Sequence, residues 1–153
     1  MDARPIPAST DTPAAPPTPQ PPIDAAVRER FRRQRREGTR PETALRSELH
    51  RRGRRFRVQY PVPGLPRRRV DIAFTRPRVA VFVDGCFWHG CPDHFVPPIR
   101  NRDWWLAKIE ANRIRDQDTD SALRAAGWEP VRVWEHLAPR MMADIVERRL
   151  SQE

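Results

Sequence analysis

The segment Val83–His94 reads V-D-G-C-F-W-H-G-C-P-D-H. It holds both cysteines of the chain, two histidines, two aspartates, a phenylalanine and a tryptophan. Cys86, Cys91 and His94 offer three soft or borderline ligands within nine residues, and His136 follows a later apolar run as a fourth candidate. Two thiolates with two imidazoles suit Zn²⁺ in a closed tetrahedral site, which is structural rather than catalytic. Asp93 is the poorer ligand beside two thiolates. Gly90 and Pro92 set the cluster in a turn, although the spacing matches no standard zinc finger. The bland alternative is two buried thiols beside unrelated histidines.

Carboxylates supply a second chemistry. Asp71 interrupts an apolar stretch, V-D-I, and Asp84 ends the next one, so the two can converge at one end of a sheet. Oxygen ligands so placed suit a hard cation such as Mg²⁺, which could activate water against a phosphodiester. Glu42 and Asp116, on flanking helices, could join them, and His89 could move a proton near neutral pH. Each carboxylate taken singly is more often a cap or an ion-pair partner, and only their joint appearance in a basic domain turns the reading toward a site. Phe87 and Trp88 sit next to this charged chemistry, where apolar rings can wedge into a base stack and kink duplex DNA; hydrophobic core is the alternative, and Trp128 and Trp134 read as core.

These residues need elements to hold them. Residues 1–24 contain eight of the 18 prolines and read as a disordered tail. Residues 25–40 are intensely basic and read as an arm that orders on DNA. From 25 to 153 the chain reads as one domain. P-E-T-A-L-R-S-E-L-H-R-R-G predicts a helix from Pro41, stopped at Gly53, with Leu45 and Leu49 on one face. Strands are expected over 55–60, 68–74 and 78–84, a long helix over 103–126, a strand over 130–135 and a closing helix over 137–150. In the closing helix Leu137, Met141, Ile145 and Leu150 would point inward. Trp105, Ile109, Asn112 and Asp116 share one face of the long helix. The order predicts an α/β fold, a small mixed sheet flanked by helices.

Charge narrows the partners. The 153 residues carry 29 basic against 20 acidic side chains, a formal +9, and Lys108 is the one lysine. Arginine suits bidentate phosphate contact, and a small basic domain most often meets nucleic acid, unless an arginine-biased genome explains the excess. No apolar run reaches the roughly 20 residues that span a bilayer, and the N-terminus lacks a secretory pattern. A cytoplasmic protein without membrane contact is expected, and two cysteines five apart favour metal over disulfide.

R-R-Q-R-R, P-E-T-A-L-R, F-R-V-Q, V-D-I-A-F, V-F-V-D-G-C-F-W-H-G-C-P, W-W-L-A-K-I-E-A-N-R-I-R-D and A-L-R-A-A-G-W-E-P-V-R-V-W-E resemble, in order from about Gln34 to Leu137, the very short patch repair endonucleases. The resemblance implies a restriction-endonuclease-like core of the PD-(D/E)xK type. It implies Mg²⁺-dependent nicking just 5′ of the thymine in T:G mismatches left by 5-methylcytosine deamination, hence association with a DNA cytosine methyltransferase on a bacterial nucleoid. A monomer is expected. On the same footing Asp71 takes the metal-binding position with the backbone carbonyl of Val83, and Glu42, His89 and Asp116 the supporting catalytic positions. Phe87, Trp88 and Trp105 take the DNA wedge, and Cys86, Cys91, His94 and His136 the zinc site.

The chain departs from the family at several points. Well-known members carry Thr-His-Gly-Cys where this chain has Val83-Asp84-Gly85-Cys86, which leaves Asp84 as an added catalytic or metal candidate. The zinc ligand types are exchanged at three positions, and the family's P-D pair is Val70-Asp71. A related nuclease with another DNA target, or a zinc-stabilised DNA-binding module without cleavage, are the competing readings.

Overall fold

A computed structural model describes residues 38–152. The Pro-rich tail and residues 25–37 of the expected arm lie outside them. Thr39 caps helix α1 (Arg40–Arg51), and Glu42 reaches back to the Gly38 N–H at 2.9 Å, a close relative of the capping box. The basic segment therefore ends inside a helix cap. Leu45 and Leu49 are fully buried, each contributing about 1.5–3 kcal/mol of transfer free energy.

Strands β1 (Arg57–Val62), β2 (Leu65–Phe74), β3 (Val79–Asp84) and β4 (Glu129–Trp134) form one sheet in that spatial order. The β1–β2 and β2–β3 pairs are antiparallel and β3–β4 is parallel, so the sheet is mixed as expected. Helix α2 (Arg102–Ala125) connects β3 to β4, and α3 (Pro139–Leu150) closes the fold. One core joins α1 and α3 to the sheet through residues such as Ile72, Val81 and Met142. The other lies between the sheet and α2, through Ala80, Phe82 and Leu123. Arg52 ties the two helices on the first face together, meeting Asp144 at 2.7 Å and Glu147 at 2.9 Å.

Three expectations are corrected. The first hairpin runs two residues further than its breakers suggested, because Pro61 lies on an edge strand that needs no N–H there and Gly64 (φ +79°) supplies the turn. In α3 the inward face carries Met142, Ala143 and Val146, with Ile145 and Leu150 partly buried. Met141 is exposed, because it is Met142, one residue later, that packs against the α1 and sheet residues of this core. Trp128 is core, but Trp134 is only half-buried. No helix among the described residues is long and apolar enough to cross a membrane.

Candidate active site and metal centre

Asp71 sits where the sheet comes apart. The β2–β3 ladder covers only Ile72↔Val81, Ala73↔Ala80 and Phe74↔Val79. On its other side the β1–β2 register passes from Val58↔Ile72 to Tyr60↔Val70, skipping Gln59 opposite Asp71, and Gln59 adopts φ +49°. Strand alternation is broken at this point. Ile72 belongs to the α1–α3 core, but Val70, two residues away, belongs to the α2 core. Freed from the pleat, the Asp71 carboxylate accepts the Val83 N–H at 2.9 Å and stands in for a ladder carbonyl. Burial, then the negative charges of Glu42 and Asp84, outweigh that hydrogen bond and push its pKa up to about 6. A carboxylate held so near neutrality by burial and other anions is a place where an added cation is favourable. The residues fit Mg²⁺ in this respect, with Asp71 as the carboxylate and Val83 adjacent.

Glu42 does not stand open to such an ion. Its carboxylate meets the Gly38 N–H, Thr39 Oγ1 at 3.3 Å and Arg46 Nη2 at 3.1 Å, and it is almost fully buried.

A second group gathers at the C-terminal end of β3. His89 Nδ1 lies 2.6 Å from Asp116 Oδ2 on α2 and 3.8 Å from Asp84 Oδ1. Ligand atoms of Asp84, His89 and Asp116 fall within 4.8 Å of one another, while among the described residues Asp71 belongs to no such group. Burial opposes the imidazolium, but the Asp116 hydrogen bond and the charges of Asp84 and Asp116 prevail, holding the His89 pKa above its ordinary value. Burial also raises Asp84, against the pull of His89 and Arg132. With Nδ1 committed to Asp116, Nε2 is left to exchange a proton with a bound substrate.

Arg132 on β4 binds both oxygens of Asp84, at 3.0 and 3.2 Å, and Asp120 Oδ1 at 2.8 Å. Sequence reasoning missed Arg132 and Asp120. The available signal was an arginine between Val131 and Val133 in a strand whose two faces are both covered.

The turn carrying His89 is pinned from α2. Asn112 donates to the Trp88 carbonyl at 2.8 Å and Arg113 to the Gly90 carbonyl at 2.9 Å. Gly90 has φ +62°, and a Cβ there would meet Ile109 Cγ2 and Arg113 Nη2, both at 2.8 Å. Gly90→Ala is therefore expected to cost about 1–3 kcal/mol through strain and overpacking. Chemical denaturation reads this directly, and an unmoved midpoint would contradict the pinned turn.

Cys86, Cys91, His94 and His136 converge as the spacing suggested. Cys86 Sγ is 3.2 Å from His136 Nδ1, and Cys91 Sγ is 3.7 Å from both His94 Nδ1 and His136 Nδ1. Tetrahedral zinc with ordinary bond lengths needs sulfur–nitrogen edges of about 3.6 Å, so this donor set fits the ion. Burial, then the Cys91 thiolate, pushes Cys86 up to about 11. Burial works against the Cys91 thiolate too, but hydrogen bonds led by His94 bring its pKa below the ordinary value. Without an ion only one thiolate is comfortable.

Phe87 meets Trp88 at 5.2 Å and Trp105 at 5.3 Å between ring centroids, and Trp88 meets Trp105 at 6.1 Å. The three expected wedge residues thus form one edge-on cluster. Phe87 and Trp88 are half-buried, while Trp105 is buried beneath them.

A mixed sheet that opens at a carboxylate, beside a histidine–aspartate pair and an aromatic cluster, has the parts of a phosphodiester-cleaving enzyme. The profile described as DNA mismatch endonuclease Vsr matches residues 24–93. The chain is 43% identical over 118 residues to the type II nicking enzyme V.NaeI of Lentzea aerocolonigenes, covering 75% of this chain and 70% of that one. It is 48% identical over 104 residues to the type II nicking enzyme V.XorIIP of Xanthomonas oryzae pv. oryzae (66% and 73% covered). Over 96 residues it is 38% identical to the DNA mismatch endonuclease Vsr of Escherichia coli (61% and 59%). The chain is an endonuclease acting on DNA, and it belongs to the Vsr family.

Proposed function

We propose that this endonuclease nicks duplex DNA just 5′ of the thymine of a T:G mismatch in a Mg²⁺-dependent reaction, on a restriction-endonuclease-like PD-(D/E)xK core with a structural Zn²⁺. The observation that carries the reading is Asp71 at the opening of the sheet, within electrostatic reach of Asp84, which itself lies 3.8 Å from the His89 of the His89–Asp116 pair. Asp71 and the Val83 carbonyl would hold Mg²⁺, which when bound polarises the scissile phosphate and lowers the pKa of water. His89 Nε2 exchanges the proton of the attacking water or the leaving oxygen. Asp116 fixes the ring through Nδ1, and Glu42 holds Arg46 and adds to the field at Asp71. Cys86, Cys91, His94 and His136 would carry Zn²⁺ and so keep His89 in register.

Phe87, Trp88 and Trp105 open the base stack. On that reading Trp88→Ala weakens T:G preference by about 1–3 kcal/mol, measured by competition between mismatched and matched duplexes; an unchanged preference would return Trp88 to a packing role. The basic arm belongs to this proposal as a DNA clamp. So do a monomeric state, work on the bacterial nucleoid in the cytoplasm, and functional association with a cytosine methyltransferase.

Two relatives are named type II nicking enzymes, which favours, as the second reading, nicking tied to a particular flanking sequence. Strand-resolved cleavage of T:G and matched duplexes with randomised flanks, in Mg²⁺ and in EDTA, tests both. A Mg²⁺-dependent nick 5′ of the mismatched T is expected. Equal cutting of matched DNA would overturn the mismatch reading, and cutting in EDTA the metal.

A further inference from the structure

We propose that Arg132 is a fixed internal cation for the carboxylates around His89, holding them in place and confining divalent-ion binding to Asp71. The inference rests on the metal-dependent reading above. Asp84, His89 and Asp116 come close enough together to resemble a metal site, but the position a cation would take is occupied. The Arg132 guanidinium lies against both Asp84 oxygens at 3.0 and 3.2 Å and 3.6 Å from Asp116 Oδ1. It binds Asp120 through Nε and Nη2, the latter at 2.8 Å, reaches the Asp116 carbonyl at 3.4 Å, and lies 4.4 Å over the Phe82 ring.

One side chain from β4 thus joins the end of β3 to two successive turns of α2. It joins them where His89 Nδ1 donates its hydrogen bond to the same Asp116. Guanidinium keeps its charge at every working pH and offers a planar fork of donors. It can therefore do permanently what a bound ion does by equilibrium. A hard cation needs free carboxylate oxygens, and at Asp84 both are taken. Arg132 is accordingly a positioning residue: it acts through Asp116 on His89, and Asp84 is its anchor rather than a ligand of the catalytic ion.

Counting Mn²⁺ ions bound to the free, zinc-loaded protein, by the paramagnetic resonance of unbound Mn²⁺, tests this without a cleavage assay. The wild type is expected to bind one ion and Arg132→Lys one. Arg132→Met is expected to bind two, with nicking in Mg²⁺ reduced at least about tenfold and restored in the lysine variant. One ion in Arg132→Met, or a lysine variant that behaves like the methionine one, overturns the inference. Should Arg132→Met not fold, Asp84→Asn decides the same point. With both Asp84 oxygens engaged by Arg132, Mn²⁺ affinity stays within about threefold of wild type, and a loss of about tenfold or more would make Asp84 a ligand after all. A wild type that binds no Mn²⁺ overturns the metal-dependent reading itself, which separates that failure from this one.

Discussion

Asp71→Asn is expected to lower nicking by about a thousandfold or more and, at neutral pH, to make the metal-free protein more stable. The loss follows from removing the carboxylate that would hold Mg²⁺: charge stabilisation by a metal is worth several kcal/mol of barrier, and each 1.4 or so is about a decade in rate. The gain follows from the cost of ionising Asp71 where it lies. Its folded pKa is raised to about 6 by burial and by Glu42 and Asp84, against its ordinary value of 3.8. The folded state therefore keeps a proton that the unfolded chain gives up first. Stability from this group is complete below about pH 4, declines as pH rises, and is gone above about pH 6, a difference of up to about 3 kcal/mol. Asparagine never ionises, and its side-chain oxygen can still accept the Val83 N–H. Urea unfolding of both proteins in EDTA should show the variant ahead at pH 7.5 and level with wild type at pH 4. Binding to T:G duplex should survive, since a negative charge facing phosphate is gone. Retained cleavage would remove Asp71 from the metal site, and a stability difference equal at both pH values would remove the strained carboxylate.

Stripping zinc, or Cys91→Ala, should abolish activity although no proposed catalytic side chain is touched. Structural zinc sites release about 10–16 kcal/mol on binding in finger peptides, as much as the whole stability of a typical domain, about 5–15 kcal/mol. Here the ligands lie up to 50 positions apart, Cys86 before the His89 turn and His136 just beyond β4. The ion would clip two segments that otherwise meet through Cys86 N–H to Glu135 Oε1 at 2.9 Å and Asp84 O to Glu135 N–H at 3.0 Å. With the clip gone, His89 loses its fixed place while Asp71 remains on its strand. Atomic absorption of the purified protein should give one zinc per chain, and re-addition after chelation should restore nicking. Active protein that carries substoichiometric zinc after clean purification would rule the site out.

Much of this arrangement is legible from residue order because it depends on local spacing. V-A-V-F-V is apolar throughout, as a strand covered on both faces must be, and β3 lies where that run and the Asp84 that ends it lie. Trp105, Ile109, Asn112 and Asp116 recur at helical spacing. The structure puts the first two in the interior, Asn112 on the Trp88 carbonyl and Asp116 on His89. Arg132 left a single mark, its place between Val131 and Val133, which is easily masked in a chain whose basic residues are almost all arginine. The inward face of α3 was ambiguous because Met141 and Met142 are adjacent and equally apolar. Only packing against α1 and the sheet decides between them. The direction of Asp71 could not be read at all. Strict alternation along β2 would turn it toward α2, and the interruption opposite Gln59 is a tertiary event.

That interruption makes the architecture and the chemistry share one proton-sensitive bond. Elsewhere in the sheet, amides are held by carbonyls whose strength as acceptors is constant; the Val83 amide is held by a carboxylate that changes charge just below neutrality. Ionisation strengthens that bond, while the proposed cation would compete for the same oxygens. If Asp71 holds that ion, the seam between β2 and β3 would register its binding through the Val83 amide.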